Sequence, residues 1–177
     1  VYRSADPILQ NAQEEFKSID HVIMFYDSNG IMVDSYGSPS LLRKIGDSVN
    51  AGSGACWSED WAGTNGIGVS LIEKKPIQVV SAEHFSHRCH DWVCSAAPIL
   101  EPFTGKVLGG VNVSSDVKSY HPFAMTKTIW LAQQIERFLL QDYVQMREML
   151  FDVYMETMNK WKHQIIVLCD SEGTCIK

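Results

Sequence analysis

The sequence lacks three features that would place the protein in a membrane or outside the cell. It has no run of about 18 apolar residues, the length that a membrane-spanning helix requires. It does not open with the basic segment and apolar stretch of a secretory signal. Its five cysteines are an odd number scattered over 177 residues, which is not the pattern of a disulfide framework. We therefore expect a cytoplasmic protein.

The sequence also lacks the motifs of nucleotide chemistry and of DNA binding. No G-x-x-x-x-G-K-[ST] loop is present, and Gly63, Gly66 and Gly68 fall in the order G-x-x-G-x-G, which differs from the dinucleotide-binding order. Acidic residues outnumber basic residues by 21 to 15, and the formal net charge is -6. An acidic surface repels nucleic acid. We expect neither an ATPase nor a direct DNA contact in this chain.

The sequence does contain the pattern of an α+β domain. Hydrophobic residues make up 45% of the chain, enough to build a core. Residues 21–26 and 31–36 read as two strands joined by a D-S-N-G turn. We predict a GAF-like antiparallel sheet with flanking helices on one face, in residues 1–122. The remaining predicted elements are strands at 76–81, 93–100 and 107–114, and helices at 4–19, about 41–45 and 58–73.

A segment almost free of helix breakers follows the sheet. From 123 to 161, apolar residues recur at spacings of three and four, which predicts one helix about 58 Å long. Such a helix needs a partner along its apolar seam, and we expect a signalling helix that forms a homodimer through residues 123–163. Residues 165–174 repeat the strand and D-S-x-G turn of residues 22–31, which predicts the start of a second sensor domain at 164–177. Both ends interrupt a pattern, so we expect a longer parent protein.

Side chains suited to ligand binding are concentrated between residues 56 and 95. Aromatic rings with a few hydrogen-bonding groups are typical of small-molecule pockets. We expect the ligand to be a small alcohol, ketone, diol or aromatic compound, bound without a metal or a cofactor. The predicted ligand-binding residues are Trp57, Trp61, Thr64, Asn65, His84, Phe85, His90, Trp92, Cys94 and Ser95.

The motifs of this region follow one another in a specific order. Residues 57–68 read W-S-E-D-W-A-G-T-N-G-I-G, and P-I-Q-V, A-E-H-F and H-D-W-V-C-S-A-A-P-I follow at 76–79, 82–85 and 90–99. Over roughly residues 1–145 the chain resembles the sensor domain of acetoin-catabolism and dihydroxyacetone-kinase operon activators. These are bacterial sigma-54-dependent activators with a GAF domain, sometimes followed by a PAS domain. The resemblance implies a non-enzymatic domain that passes ligand binding to a downstream ATPase.

Other functions stay open on the sequence alone. His84, His87 and His90 are spaced by three residues near Cys89 and Cys94, and imidazole and thiolate groups suit zinc or iron, or a redox sensor. The resemblance implies another alternative, because the dihydroxyacetone-kinase regulators work partly by binding kinase subunits. A module that binds a protein partner is therefore the second alternative.

Overall fold

The fold is built on one five-stranded antiparallel sheet with the strand order β2-β1-β5-β4-β3. We describe it from a computed structural model, which describes residues 1–15, 20–162, 164–167, 169 and 173. The predicted strands are all present. They are β1 Val22–Asp27, β2 Met32–Tyr36, β3 Ile77–Val80, β4 Trp92–Leu100 and β5 Val107–Asp116.

The first two strands form the predicted hairpin, and its turn is held by one carboxylate. Asp27 Oδ1 accepts the backbone N–H of Asn29 at 2.9 Å and that of Ile31 at 2.8 Å. Gly30 completes the turn with φ +78°, a left-handed conformation that glycine adopts without a steric penalty. The chain therefore reverses within four residues and returns along β1.

The described residues contain five α-helices besides the sheet. They are α1 Tyr2–Glu15, α2 Pro39–Val49, α3 Glu59–Ala62, α4 Gly66–Glu73 and α5 Ala124–Lys160. Helix α2 begins where the Ser38 hydroxyl accepts the N–H of Leu41 at 3.3 Å, and it ends at Asn50, which adopts a left-handed conformation. The end of the first predicted helix, residues 16–19, lies outside the described residues.

The prediction of one continuous helix over 58–73 is wrong. Helix α3 ends at Gly63, which has φ +67°. Asn65 then starts α4 from an extended backbone, and its Oδ1 accepts the N–H of Gly68 at 3.0 Å. A left-handed glycine followed by a side-chain cap ends one helix and starts another, so apolar periodicity across this segment does not mean continuity.

The prediction that the helices lie on one face of the sheet is also wrong. Phe25 and Tyr26 are consecutive in β1, so their side chains lie on opposite faces. The Phe25 ring contacts Tyr2 of α1 with ring centroids 5.7 Å apart, whereas the Tyr26 hydroxyl lies 2.9 Å from Ser70 Oγ in α4. Helices therefore cover both faces. The face toward α4 carries a buried cluster of Val22, Met24, Met32, Leu41, Ile45, Ala51 and Trp92.

Helix α5 spans 37 residues, about 55 Å, close to the predicted helix 123–161. The chain divides into two compact units, Val1–Phe138 and Leu139–Lys177. In the first unit α5 buries Thr128, Leu131 and Ile135. The second unit contains the rest of α5, where large apolar side chains are exposed. Most of the predicted second hairpin at 164–177 lies outside the described residues, and the predicted domain boundaries stay predictions.

No helix among the described residues is both long enough and apolar enough to cross a bilayer.

Candidate ligand cavity

A small internal cavity lies between the α4 face of the sheet and the segments that cover it. Its volume is about 20 Å³, which is room for about one water molecule. The sheet contributes residues from β1, β4 and β5, and the cover comes from α2, α4 and the loops around them. The lining residues are Met24, Ile45, Val49, Ala51, Trp57, Asn65, Gly66, Ile67, His84, Cys89, Trp92, Cys94, Asn112 and Ser114.

Three buried polar atoms belong to residues that line the cavity. They are Trp57 Nε1, His84 Nε2 and Asn112 Oδ1, and each is buried without a hydrogen-bond partner in the described part of the chain. We call them the cavity polar atoms. Buried polar groups in proteins are nearly always paired with protein, water or ligand. All three atoms belong to residues that line this one cavity, which makes it the candidate site.

The hydrogen bonds of His84 fix its tautomer. Its Nδ1 lies 3.0 Å from the carbonyl oxygen of Ser81. Because a carbonyl can only accept, Nδ1 carries the proton and Nε2 of the neutral ring is an acceptor. The side chain is 3% exposed, and this burial lowers the pKa of His84 although the bond to Ser81 opposes the shift. His84 is therefore held neutral, and its Nε2 lone pair has no partner among the described residues.

Asn112 lies in the middle of β5 and is 1% exposed. Its Nδ2 donates to Ser114 Oγ at 2.8 Å and faces Met24 Sδ at 3.8 Å. A thioether can accept a hydrogen bond but cannot donate one, so the amide nitrogen belongs on that side. The amide oxygen is left without a partner among the described residues.

Cys94 is part of the lining but is not an activated thiol. Its Sγ lies 3.1 Å from Ser114 Oγ, and burial raises its pKa to about 12. Burial also raises the pKa of Cys89. The thiolate is the reactive form of cysteine, so at neutral pH these groups are weak nucleophiles and weak metal ligands. The geometry gives the redox-sensor alternative little support.

The structure brings half of the predicted ligand-binding residues to the cavity. Trp57, Asn65, His84, Trp92 and Cys94 all line it. Asn65 also has a structural task, because its Nδ2 donates to the carbonyl oxygens of Trp57 at 3.0 Å and of residue 63 at 2.8 Å. The same side chain therefore caps α4 and fixes the backbone that carries the Trp57 indole.

The other five predicted residues lie elsewhere. Thr64 donates to Glu59 at 3.2 Å, and His90 Nε2 lies 3.2 Å from the His84 carbonyl oxygen. Ser95 follows Cys94 in β4 and so faces the opposite side of the sheet, where its hydroxyl accepts from the Gln78 side chain at 2.8 Å. The remaining two, Trp61 and Phe85, are exposed.

Trp61 and Phe85 line a separate, open hollow on the surface. It has a volume of about 540 Å³, and the two side chains are 83% and 76% exposed. The hollow and the cavity share Val49, Trp57 and Cys89 in their linings. These three side chains therefore form a wall between the internal cavity and an accessible surface.

The histidine cluster does not assemble a metal site. The rings of His87 and His90 lie with centroids 4.7 Å apart, while His84 turns its Nδ1 to Ser81. Within the described residues, no group of three or more His, Cys, Asp or Glu side chains has a metal-binding arrangement. The described cysteines, Cys56, Cys89, Cys94 and Cys169, are free.

The sequence prediction missed the part of the cavity that comes from strands β1 and β5. Asn112 and Met24 are cross-strand neighbours, and Cys94 lies opposite Ser114. This register brings β1, β4 and β5 together behind the cavity. The one signal in the sequence was a polar asparagine inside an otherwise apolar strand.

The fold is that of a GAF-like domain. The chain belongs to the family described as MimR, N-terminal domain, which matches residues 1–137. It is 32% identical over 136 residues to the acetoin dehydrogenase operon transcriptional activator AcoR of Bacillus subtilis, covering 77% of this chain and 22% of that protein. It is 22% identical over 168 residues to the propane 2-monooxygenase operon transcriptional activator MimR of Mycolicibacterium smegmatis, covering 95% and 29%.

A solved structure shows the same fold. The crystal structure of the E. coli DhaR(N)–DhaL complex superposes with a TM-score of 0.82 at 16% identity, covering 92% of this chain and 54% of that chain. These similarities confirm the predicted resemblance to operon activators and the α+β, GAF-like fold with its long C-terminal helix. The chain is a regulatory domain of a transcription-activator family, and it spans 22% and 29% of the length of the two relatives named above.

Proposed function

We propose that the domain senses a small organic molecule that binds in the cavity, and that it belongs to a cytoplasmic sigma-54-dependent activator. The observation that carries the proposal is the set of cavity polar atoms on Trp57, His84 and Asn112. Apolar walls with a few convergent polar groups are the usual composition of a ligand site. The sigma-54 assignment follows the resemblance of the motifs at 57–99.

Ligand entry requires the cavity wall to move. A volume of about 20 Å³ holds about one water molecule, so an organic ligand must displace side chains. Val49, Trp57 and Cys89 separate the cavity from the open hollow, and displacing them connects the two spaces. Binding and rearrangement are thereby coupled, because the ligand has affinity only for the arrangement with the enlarged cavity.

Strand β4 offers a route from the cavity toward α5. Its first half contributes Trp92 and Cys94 to the lining. At its far end the N–H of Leu100 donates to Glu136 of α5 at 2.8 Å. A shift of β4 that accommodates ligand is therefore transmitted to α5 through this hydrogen bond. We propose that α5 carries this change to an ATPase in the longer protein.

The second half of α5 has the pattern of a dimer interface. Leu139, Tyr143, Met146, Leu150 and Val153 recur at alternating spacings of four and three residues, the heptad pattern of a coiled coil. Met146 is 47% exposed and Val153 is 53% exposed. We propose that two chains pair along this seam. Analytical ultracentrifugation would show a dimer for the wild type and a monomer for Met146→Lys if this is correct.

A thermal-shift screen against small alcohols, ketones, diols and aromatic compounds tests the proposed sensing function. A ligand that binds the native state raises the melting temperature in a concentration-dependent way. We expect a saturable increase for at least one compound. Trp57→Phe should reduce it because the substitution removes the indole N–H, whereas the matched control Trp161→Phe should retain it. A flat response to the whole panel would contradict the proposal.

A second candidate function is recognition of a protein partner through the open hollow. Trp61 and Phe85 present large apolar surfaces to solvent there, as the centres of protein interfaces commonly do. A similar domain, DhaR(N), was solved in complex with a protein, DhaL. This function predicts a saturable partner whose binding is lost in Trp61→Ala and is unaffected by Trp57→Phe. The small-molecule function predicts the reverse sensitivity for its ligand.

A further inference from the structure

We infer that the cavity selects a small ligand with two hydroxyl groups, because the unpaired polar atoms of its lining residues are one donor and two acceptors. This inference rests on the proposed sensing function and specifies the ligand class for the same site. Its evidence is the identity of three atoms, namely Trp57 Nε1, His84 Nε2 and Asn112 Oδ1. All three belong to residues that line one cavity.

Trp57 supplies the donor. An indole nitrogen carries a hydrogen and has no lone pair available, so it can only donate. The Asn65 side chain fixes the backbone of Trp57, because its Nδ2 donates to the Trp57 carbonyl oxygen at 3.0 Å. The ligand must therefore offer one oxygen lone pair at this position.

His84 and Asn112 supply the two acceptors. The bond from His84 Nδ1 to the Ser81 carbonyl leaves Nε2 unprotonated in the neutral ring. The contacts of Asn112 Nδ2 with Ser114 Oγ and Met24 Sδ leave the amide oxygen for the cavity. The titratable groups that act on the imidazole are His90 and Glu83, and neither of them supplies a proton to Nε2 in the described structure. The ligand must therefore offer two hydrogens.

The number of hydroxyl groups ranks three classes of small molecule by their expected affinity. A short diol has two O–H groups for His84 and Asn112, and either of its oxygens accepts from Trp57. A hydroxyketone has one O–H group and leaves one protein acceptor unpaired. A ketone has none and leaves both acceptors unpaired. Because an unpaired buried acceptor is costly, each missing hydroxyl should weaken binding by roughly tenfold.

The close approach of α4 to the sheet at Gly66 limits the size of the ligand. A Cβ atom placed on Gly66 would lie 3.1 Å from Cys94 Cβ and 3.4 Å from Asn112 Oδ1. The α4 backbone thus approaches the sheet closely beside the amide oxygen that the ligand contacts. This restricts the site to compounds of few carbons and suits a short diol better than a sugar.

Isothermal titration calorimetry of the 177-residue chain with propylene glycol, hydroxyacetone and acetone tests the inference. The three probes share a three-carbon skeleton and carry two, one and no hydroxyl hydrogens. We expect affinity to fall in that order, by roughly tenfold at each step. Equal affinities, or tighter binding of acetone, would overturn the diol assignment and leave the sensing function intact. If none of the three binds, the diol assignment fails, and the wider screen described above then decides the sensing function separately.

Two substitutions at one position test the acceptor role of His84. His84→Asn keeps an amide N–H near the Ser81 carbonyl oxygen and removes the acceptor at the position of Nε2. His84→Gln restores an acceptor at the distance of Nε2. We expect propylene glycol affinity to fall about tenfold in His84→Asn and to recover in His84→Gln, with acetone affinity changed little in either. A loss that is equal for propylene glycol and acetone would mean that His84 has a structural role only, and would contradict the inference.

Discussion

Glu136 of α5 accepts the backbone N–H of Leu100 at 2.8 Å, and this bond ties the end of β4 to the long helix. The same strand begins with Trp92 and Cys94, which line the cavity. A single strand thus contacts the proposed ligand site at one end and helix α5 at the other. Under the proposed function, substitutions at this bond should separate ligand binding from its transmission to α5.

Removing the Glu136 carboxylate should weaken this connection without changing the cavity. Glu136→Ala leaves the Leu100 N–H without its acceptor and should lower the free energy of unfolding by about 1–2 kcal/mol in a urea titration. Glu136→Gln keeps an acceptor oxygen and should cost less. Both variants should bind propylene glycol as the wild type does. A large loss of affinity in Glu136→Gln would show that the residue acts on the cavity itself.

Substitutions at Asn65 should separate its two roles, which are to cap α4 and to position Trp57. Asn65→Ala removes the cap of α4 and the bonds to the Trp57 and Gly63 carbonyls, and should reduce stability by about 1–2 kcal/mol. Asn65→Asp keeps the cap but cannot donate to those carbonyls. We therefore expect Asn65→Asp to retain the α4 helix, as judged by hydrogen exchange of its amides, while its ligand affinity falls. Equal protection and equal affinity in wild type and Asn65→Asp would contradict the positioning role.

A methyl group at Gly66 should narrow the cavity. The added Cβ must displace Cys94 by a few tenths of an ångström or take up cavity space, at a cost in stability of about 1 kcal/mol. We expect Gly66→Ala to fold and to bind propylene glycol more weakly, as measured by calorimetry. Gly46→Ala in α2 is the matched control, because the nearest atom to its new Cβ is 4.0 Å away. The control should be slightly more stable than wild type, with unchanged affinity.

The lowered pKa of His84 predicts a pH dependence of stability. In the unfolded chain the imidazole takes up its proton near its ordinary pKa of 6.5, whereas in the folded protein protonation occurs at lower pH. The unfolded state therefore binds more protons between the two values. The His84 contribution to the free energy of unfolding should be fully present above pH 6.5 and decrease as the pH falls toward the folded-state pKa. Urea titrations over this range check the sign.

His84→Gln is the control for that titration, because glutamine does not titrate. The decrease in stability below pH 6.5 should be smaller in this variant than in wild type. An identical pH profile in both proteins would show that another group is responsible. An increase in the His84 contribution at low pH would mean that the folded protein binds the proton more tightly, contrary to a buried neutral ring.

The sequence predicted those features of the fold that local patterns determine. The turn at Asp27–Gly30, the strands of the sheet and the helix from 124 to 160 follow from side-chain periodicity and turn chemistry. The break between α3 and α4 was missed because the apolar period continues through it, while Gly63 and Asn65 redirect the backbone. The covering of both sheet faces was missed although β1 and β5 are buried along nearly their whole length, because local patterns do not show on which face each helix packs.

The candidate site was predicted where it is contiguous in sequence and missed where the sheet assembles it. Trp57, His84 and Trp92 come from the motif-rich segment and were found. Asn112 was missed, since only the pairing of β5 with β1 and β4 brings it beside the others. Ser95 was predicted together with its neighbour Cys94, but only Cys94 lines the cavity, because consecutive residues of a strand face opposite sides.

The most direct test of the central claim is the indole N–H signal of Trp57 in a 15N-correlated NMR spectrum during titration with propylene glycol. The chain contains five tryptophans, and the signal that disappears in Trp57→Phe is that of Trp57. If ligand accepts a hydrogen bond from this indole, its signal shifts saturably while that of the exposed Trp61 changes little. An unmoved Trp57 signal at saturating ligand, or a response confined to Trp61, would contradict binding in the cavity.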